Sequence, residues 1–160
     1  MKSFFSSLWA GAALLVGTAA FLALMLWVAR NHSRMWRRLA ASYAGPRRKG
    51  AIATRLETVV IAGRGTAQAF GHRQYSAVKL ALFPDGLSAW AIPIPPLNVG
   101  CPPLFLPFAE MTVAETDWML WTDPAALRMR RSPEIDVMIS RDTLRWIREH
   151  IDASPFGLAP

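Results

Sequence analysis

The apolar run from Leu8 to Val28, followed at once by Arg30, Arg34, Arg37 and Arg38, limits what this chain can be more than any other stretch. At ~1.5 Å of rise per residue a helix over that run is roughly 30 Å long, which matches the hydrocarbon thickness of a bilayer. Residues 1–29 are therefore expected to form a single transmembrane anchor. A cleaved signal peptide is the competing reading, because Lys2 precedes the run and Gly17, Ala19 and Ala20 resemble a cleavage site. A signal core is roughly 7–15 residues long and stops at small residues. This run continues through Phe21, Leu22, Leu24, Met25, Leu26 and Trp27, which favours an uncleaved span. Lys2 is the single basic side chain before it, against Arg30, Arg34, Arg37, Arg38, Arg47, Arg48 and Lys49 after it. The basic flank predicts an N-terminus outside and a cytoplasmic C-terminal part.

The formal net charge of +7 is local to that flank. From Glu57 onward nine basic residues face all eleven acidic ones, a net of −2. The soluble part is thus no basic nucleic-acid binder, and the candidate lipid-contacting residues are Arg34, Trp36, Arg37, Arg38, Arg47, Arg48 and Lys49, set to meet anionic headgroups at the cytoplasmic face. A pure topology signal is the alternative for the same charges. Cys101 is the sole cysteine, so an internal disulfide and a multi-thiolate zinc site are excluded and a reducing compartment is indicated. Residues 50–160 suffice for one compact domain, leaving 30–49 as a basic amphipathic helix and linker.

Within that linker Met35, Trp36, Leu39, Ala40 and Tyr43 recur at helical spacing on one face, with Arg34, Arg37, Arg38 and Ser42 mostly off it. Two occupants fit the apolar face equally: the membrane interface, with Trp36 as aromatic anchor, or the domain that follows. Gly45-Pro46 ends the helix.

Beyond Glu57 the period shifts toward two. Thr58–Ile61, Thr66–Phe70 and Tyr75–Phe83 read as strands, and Phe83-Pro84-Asp85-Gly86 as a turn whose glycine accepts positive φ, returning Leu87–Ile92 antiparallel. A proline-rich crossing follows (Pro93, Pro95, Pro96, Pro102, Pro103, Pro107), suited to a loop or sheet edge. Phe108–Glu115 and Trp118–Trp121 are further strand candidates. Leu127 and Met129 alternate with Arg128 and Arg130, and Ile135, Val137 and Ile139 with Asp136, predicting a hairpin with opposite charges paired across it. Ser140 then offers an N-cap to a terminal helix with Leu144, Ile147 and Ile151 on its inner stripe. The expected fold is α+β: a transmembrane helix, then a small, mainly antiparallel β domain closed by a C-terminal α-helix.

That order is similar to a pleckstrin-homology-like or GRAM-like domain, a partly open barrel plugged by its last helix. Trp36-x-x-Leu39-Ala40-x-x-Tyr43, Gly86-Leu87-Ser88-Ala89-Trp90 and Pro102-Pro103-Leu104-Phe105-Leu106-Pro107-Phe108-Ala109-Glu110-Met111 resemble segments of small bacterial single-span membrane proteins of uncharacterised function. The resemblance implies a place in the bacterial inner membrane and supplies no catalytic residue. A phosphoinositide-binding member would carry a strongly basic first loop, where Gly63-Arg64-Gly65 has one arginine.

Residue by residue, no reaction is spelled out. His32, His72 and His150 lie in three separate segments, which argues against a metal pair. Cys101 and His72 make a nucleophile and base only if the fold joins them. Gly63-x-Gly65 lacks the third glycine of a dinucleotide fingerprint, and no phosphate loop is present. Glu110, Glu115, Asp117 and Asp123 are read as solvating a strand edge, and Trp90, Phe105, Phe108, Trp118 and Trp121 as core. Asn31-His32-Ser33 matches a glycosylation sequon on the wrong side of the membrane. No cofactor or metal is expected. The favoured function is a non-enzymatic interaction module, adaptor or accessory subunit serving a membrane-protein partner. The alternative is a small lipid-acting enzyme or ligand-binding protein with a pocket around Cys101, Glu110 and His72.

Overall fold

The computed structural model of the chain describes residues 2–64, 73–95, 97–98, 100–116 and 124–151. Lys2–His32 form α1. Within it Ala13–His32 is the one stretch, among the described residues, long and apolar enough to cross a membrane, and nothing in the fold covers it. Leu14, Leu15, Leu26 and Trp27 stand exposed on it, a surface that water solvates poorly.

No linker separates α1 from α2 (Arg34–Tyr43). Ser33 N donates to Ala29 O (3.1 Å) and Arg37 N to Ser33 O (3.0 Å), so helical bonds continue on both sides of Ser33. The Ser33 hydroxyl also donates back to Ala29 O, a competing bond that bends helices. The two helices thus meet at Ser33, whose amide makes the last backbone bond of α1 and whose carbonyl accepts the first of α2.

Seven strands follow: β1 (Ala53–Gly63), β2 (Arg73–Phe83), β3 (Gly86–Ala91), β4 (Leu104–Pro107), β5 (Met111–Glu115), β6 (Pro124–Met129) and β7 (Ile135–Ser140), then α3 (Arg141–His150). They make one antiparallel half-barrel in the order β4-β3-β2-β1-β7-β6-β5. β1 is its spine. Its whole length pairs with β2, while its last residues also pair with β7, from Val60↔Met138 to Gly63↔Ile135. The open side lies between the edge strands β4 and β5, which a 3-10 turn (Phe108–Glu110) connects.

One continuous core fills the concave side. Val59 and Ile61 of β1, Val78, Leu80 and Leu82 of β2, Leu104 and Leu106 of β4, and Leu127, Val137 and Ile139 from the far half all join it. The apolar face of α2 enters the same cluster with Met35, Trp36, Leu39, Ala40 and Tyr43. Of the two occupants open to that face, the structure has the domain. Trp36 is fully buried, which corrects its assignment as a lipid contact. The domain limit at residue 50 also shifts, because the core is complete only from α2 onward.

Several local expectations are met. Tyr75–Phe83 lies within β2, and Pro84-Asp85 joins it to β3 with Phe83 opposite Gly86. Arg128 and Asp136 face each other across β6 and β7, with Nε 3.4 Å from Oδ1. Ser140 caps α3 by accepting from Thr143 N (3.2 Å), and Leu144 and Ile147 are buried on its inner face. Other details differ. Gly86 does not take positive φ; glycine is needed because an added Cβ would sit 2.6 Å from Leu106 O of β4. The Phe108–Glu115 stretch is a 3-10 turn before it is a strand. β1 extends well before Thr58, its early residues exposed on alternate positions. Thr66–Phe70 and Trp118–Trp121 lie outside the described residues.

Candidate membrane-proximal interface

Two polar clamps hold α2 in the half-barrel. At its start the Trp36 amide, an orphan donor of the first helical turn, gives its proton to Gln74 Oε1 (2.8 Å). Gln74 is fully buried, and its Nε2 donates to Ser76 Oγ (3.0 Å), which donates to Asn98 Oδ1 (2.9 Å). Asn98 Nδ2 closes the chain on Ile92 O (3.1 Å). The Trp36 indole donates to Pro102 O (2.7 Å), so its large apolar body is buried with its one polar atom satisfied. At the end of α2, Tyr43 donates to Glu110 Oε2 (2.9 Å) while its oxygen accepts from Arg131 N (2.9 Å). Arg131 Nε reaches the same carboxylate at 2.6 Å, and its guanidinium stacks over the Tyr43 ring at 4.5 Å. The Arg131 and Tyr43 donors hold the Glu110 carboxyl below its ordinary pKa, and burial pushes the Tyr43 phenol above its own.

These clamps give the domain a direction. α2 begins beside Gln74, near the start of β2, and the chain just past it reaches Asp85 at the far end of β2 through Arg48 (2.8 Å). α2 and β2 therefore run the same way. His32 Nε2, at the end of α1, lies 3.0 Å from Tyr75 O. The start of β2 and the Ile92–Cys101 loop thus border the end of the apolar helix. The β2 to β3 turn lies ~35 Å away, the length of an eleven-residue strand.

The seven candidate lipid-contacting residues divide along this axis. Arg34, Arg37 and Arg38 are exposed on the polar side of α2 close to α1. With Arg30 they recur at spacings of four, seven and eight, one face across the junction, and Arg37 Nη2 donates to Arg30 O (2.6 Å). Arg47, Arg48 and Lys49 lie beyond α2, a further ~15 Å of helix. Arg48 pairs with Asp85 and stacks on Phe83 (4.7 Å) and Phe105 (4.5 Å), and Arg47 lies over Trp90 (5.6 Å). Arg48 thus sits at the β2–β3 turn, the opposite end of the domain from α1, Arg47 lies over Trp90 opposite the middle of β2, and Trp36 belongs to the interior.

Of the pocket residues of the alternative reading, Cys101 and Glu110 are described, and they are not gathered. Cys101 packs near Gln74 at one end of α2 and Glu110 sits at the other, with the helix filling the space between them. Burial raises the Cys101 thiol pKa, which disfavours the nucleophilic thiolate. His72, Asp117 and Asp123 lie outside the described residues, and Glu115 pairs with Arg141 (3.2 Å). His150 Nδ1 lies 2.8 Å from Trp146 O. Among the described residues no three of His, Cys, Asp and Glu converge as metal ligands. An open cleft of about 390 Å³ is lined by Arg64, Glu110, Arg128 and Arg130 on the flank of β5 and β6.

Sequence reasoning passed over Gln74, Ser76 and Asn98, whose network fixes the α2 orientation, and Glu57, which accepts from Ser140 Oγ (3.0 Å) and from the Thr143 hydroxyl at the start of α3. The available signal was a Gln-x-Ser pair on the inward, otherwise apolar face of a strand. No protein-family model matches the chain, and no curated protein is significantly similar to it.

Proposed function

We propose that this chain is a membrane-anchored, non-enzymatic interaction module, an adaptor or accessory subunit of a bacterial inner-membrane complex. α1 crosses the bilayer once with its N-terminus outside, and the half-barrel, of pleckstrin-homology-like or GRAM-like kind, sits on the cytoplasmic side. Strand order and the helix at the C-terminal end support that kinship: a four-strand meander and a three-strand meander joined through β1 and β7, with α3 packed on β6 and β7. The basic flank supports the orientation.

One observation carries the reading: the concave side of the half-barrel is occupied by the anchor's own continuation, with Trp36 and Leu39 fully buried in it. A ligand-binding barrel keeps that space for its ligand. Here it couples the anchor to the domain and leaves the convex sheet, the edges and α3 as the surfaces on offer. Arg34, Arg37 and Arg38 face the anionic lipid of the cytoplasmic leaflet beside α1. Affinity capture of the tagged full chain from mild detergent, followed by native mass spectrometry, tests the reading. A stoichiometric membrane-protein partner supports it. A lipid or metabolite bound without protein overturns it in favour of the ligand-binding alternative.

A further inference from the structure

The loop after β3 has a use that core packing does not explain. Pro93, Ile94 and Pro95 form its exposed tip, with Ile94 49% exposed. Hydrogen bonds hold the tip and its base. Ile94 N donates to Leu97 O (3.1 Å), Ile92 N to Ala77 O (2.7 Å), and Asn98, in the left-handed region at φ 58°, ties the base of the loop to Ser76 and Ile92 O. Two of its three residues are prolines, which have no amide proton. With the Ile94 amide satisfied by Leu97 O, this apolar tip leaves no backbone donor unpaired when water is withdrawn.

Its position is set by the same network that holds α2. The chain Asn98, Ser76, Gln74 links the tip to the Trp36 amide in the first turn of α2, and Tyr75 O beside it meets His32 at the end of α1. The exposed arginines Arg34, Arg37 and Arg38 stand on the adjoining helix. We infer that the Pro93-Ile94-Pro95 tip enters the interface of the same bilayer that α1 crosses, giving the domain a second, lipid contact. This rests on the reading of α1 as a span. Lipid is the occupant because the tip is aliphatic, donor-poor and fixed beside the end of an apolar helix flanked by cations.

Site-directed spin labelling of the full chain in nanodiscs of phosphatidylethanolamine and phosphatidylglycerol tests it. Single cysteines are placed at Ile94, Ile52 and Leu22 in a Cys101→Ser background, where the hydroxyl keeps an acceptor near Gln74 Nε2. Ile52 is equally exposed, at 49%, but its amide bonds Leu82 O at the far end of β2. Leu22 is an exposed residue of α1. Apolar oxygen and a water-soluble nickel complex serve as relaxation probes. The expected result is oxygen-dominated relaxation at Leu22 and Ile94 and nickel-dominated relaxation at Ile52, the two isoleucines differing several-fold in the accessibility ratio. Nickel-dominated relaxation at Ile94 with Leu22 still in lipid overturns the inference and leaves the span standing. Nickel-dominated relaxation at Leu22 as well overturns the span and the inference together.

Discussion

Replacing Trp36 by alanine is the sharpest test of how anchor and domain are joined. The side chain is fully buried between α2 and the half-barrel, so the substitution removes a large apolar group from a site lined by strands on several sides. Trp→Ala in a packed core costs about 3–5 kcal/mol, the spread reflecting how far the walls collapse. Collapse is hindered here, because α2 is held at both ends, by Gln74 at its start and by Glu110 with Arg131 at its finish. The variant also strands Pro102 O, which loses its indole donor. The upper part of that range is expected, and for a domain near this size it lowers Tm by about 12–20 °C. Thermal unfolding of the full chain in mild detergent, followed by the far-ultraviolet β signal, measures it, with Trp36→Phe as a partial rescue. A shift within about 0.5 kcal/mol, the level of a surface change, would refute the docked geometry and return Trp36 to the lipid interface.

Acid should loosen the far clamp of α2. The carboxyl of Glu110 titrates below its usual value of about 4.3 in the folded state, so its stabilisation is present above that pH and is lost as pH falls through the folded value; Glu110→Gln should flatten this acid limb in melts from about pH 7 to 3, and parallel profiles would dismiss the clamp. Gly86→Ala should destabilise the β3–β4 pairing by about 1–3 kcal/mol in denaturant titrations, since the methyl would meet a backbone carbonyl that cannot move aside. A reporter fused after Pro160 should be cytoplasmic, fluorescent as green fluorescent protein and inactive as alkaline phosphatase; active phosphatase reverses the orientation.

What could be read from the sequence was local. The Pro84-Asp85-Gly86 turn, the Arg128 and Asp136 pairing and the Ser140 cap each depend on residues within a few positions, so their chemistry is written in order along the chain. The fate of α2 was not, because amphipathicity states which face is apolar and says nothing of what covers it. The deciding groups are the Trp36 amide and Gln74, 38 residues apart and each unremarkable alone. The cations show a related limit: Arg34 and Arg48 look alike in a charge count, yet a ten-residue helix separates them, and Asp85, Phe83 and Phe105 engage the second. Gly86 was recognised as a turn glycine, but its real constraint, Leu106 O, comes from a strand whose register no local pattern reveals.

The junction at Ser33 has a mechanical consequence. A half-barrel on a slack tether would spin freely beneath its anchor, and the heading of one would carry no information about the other. With α2 starting at Ser33, directly after α1, and clamped at both ends, the direction in which α1 leaves the domain is set by the half-barrel itself. On the proposed span, a protein gripping the outer sheet would thereby bias how α1 sits in the bilayer, and a neighbour gripping α1 would bias the heading of the sheet.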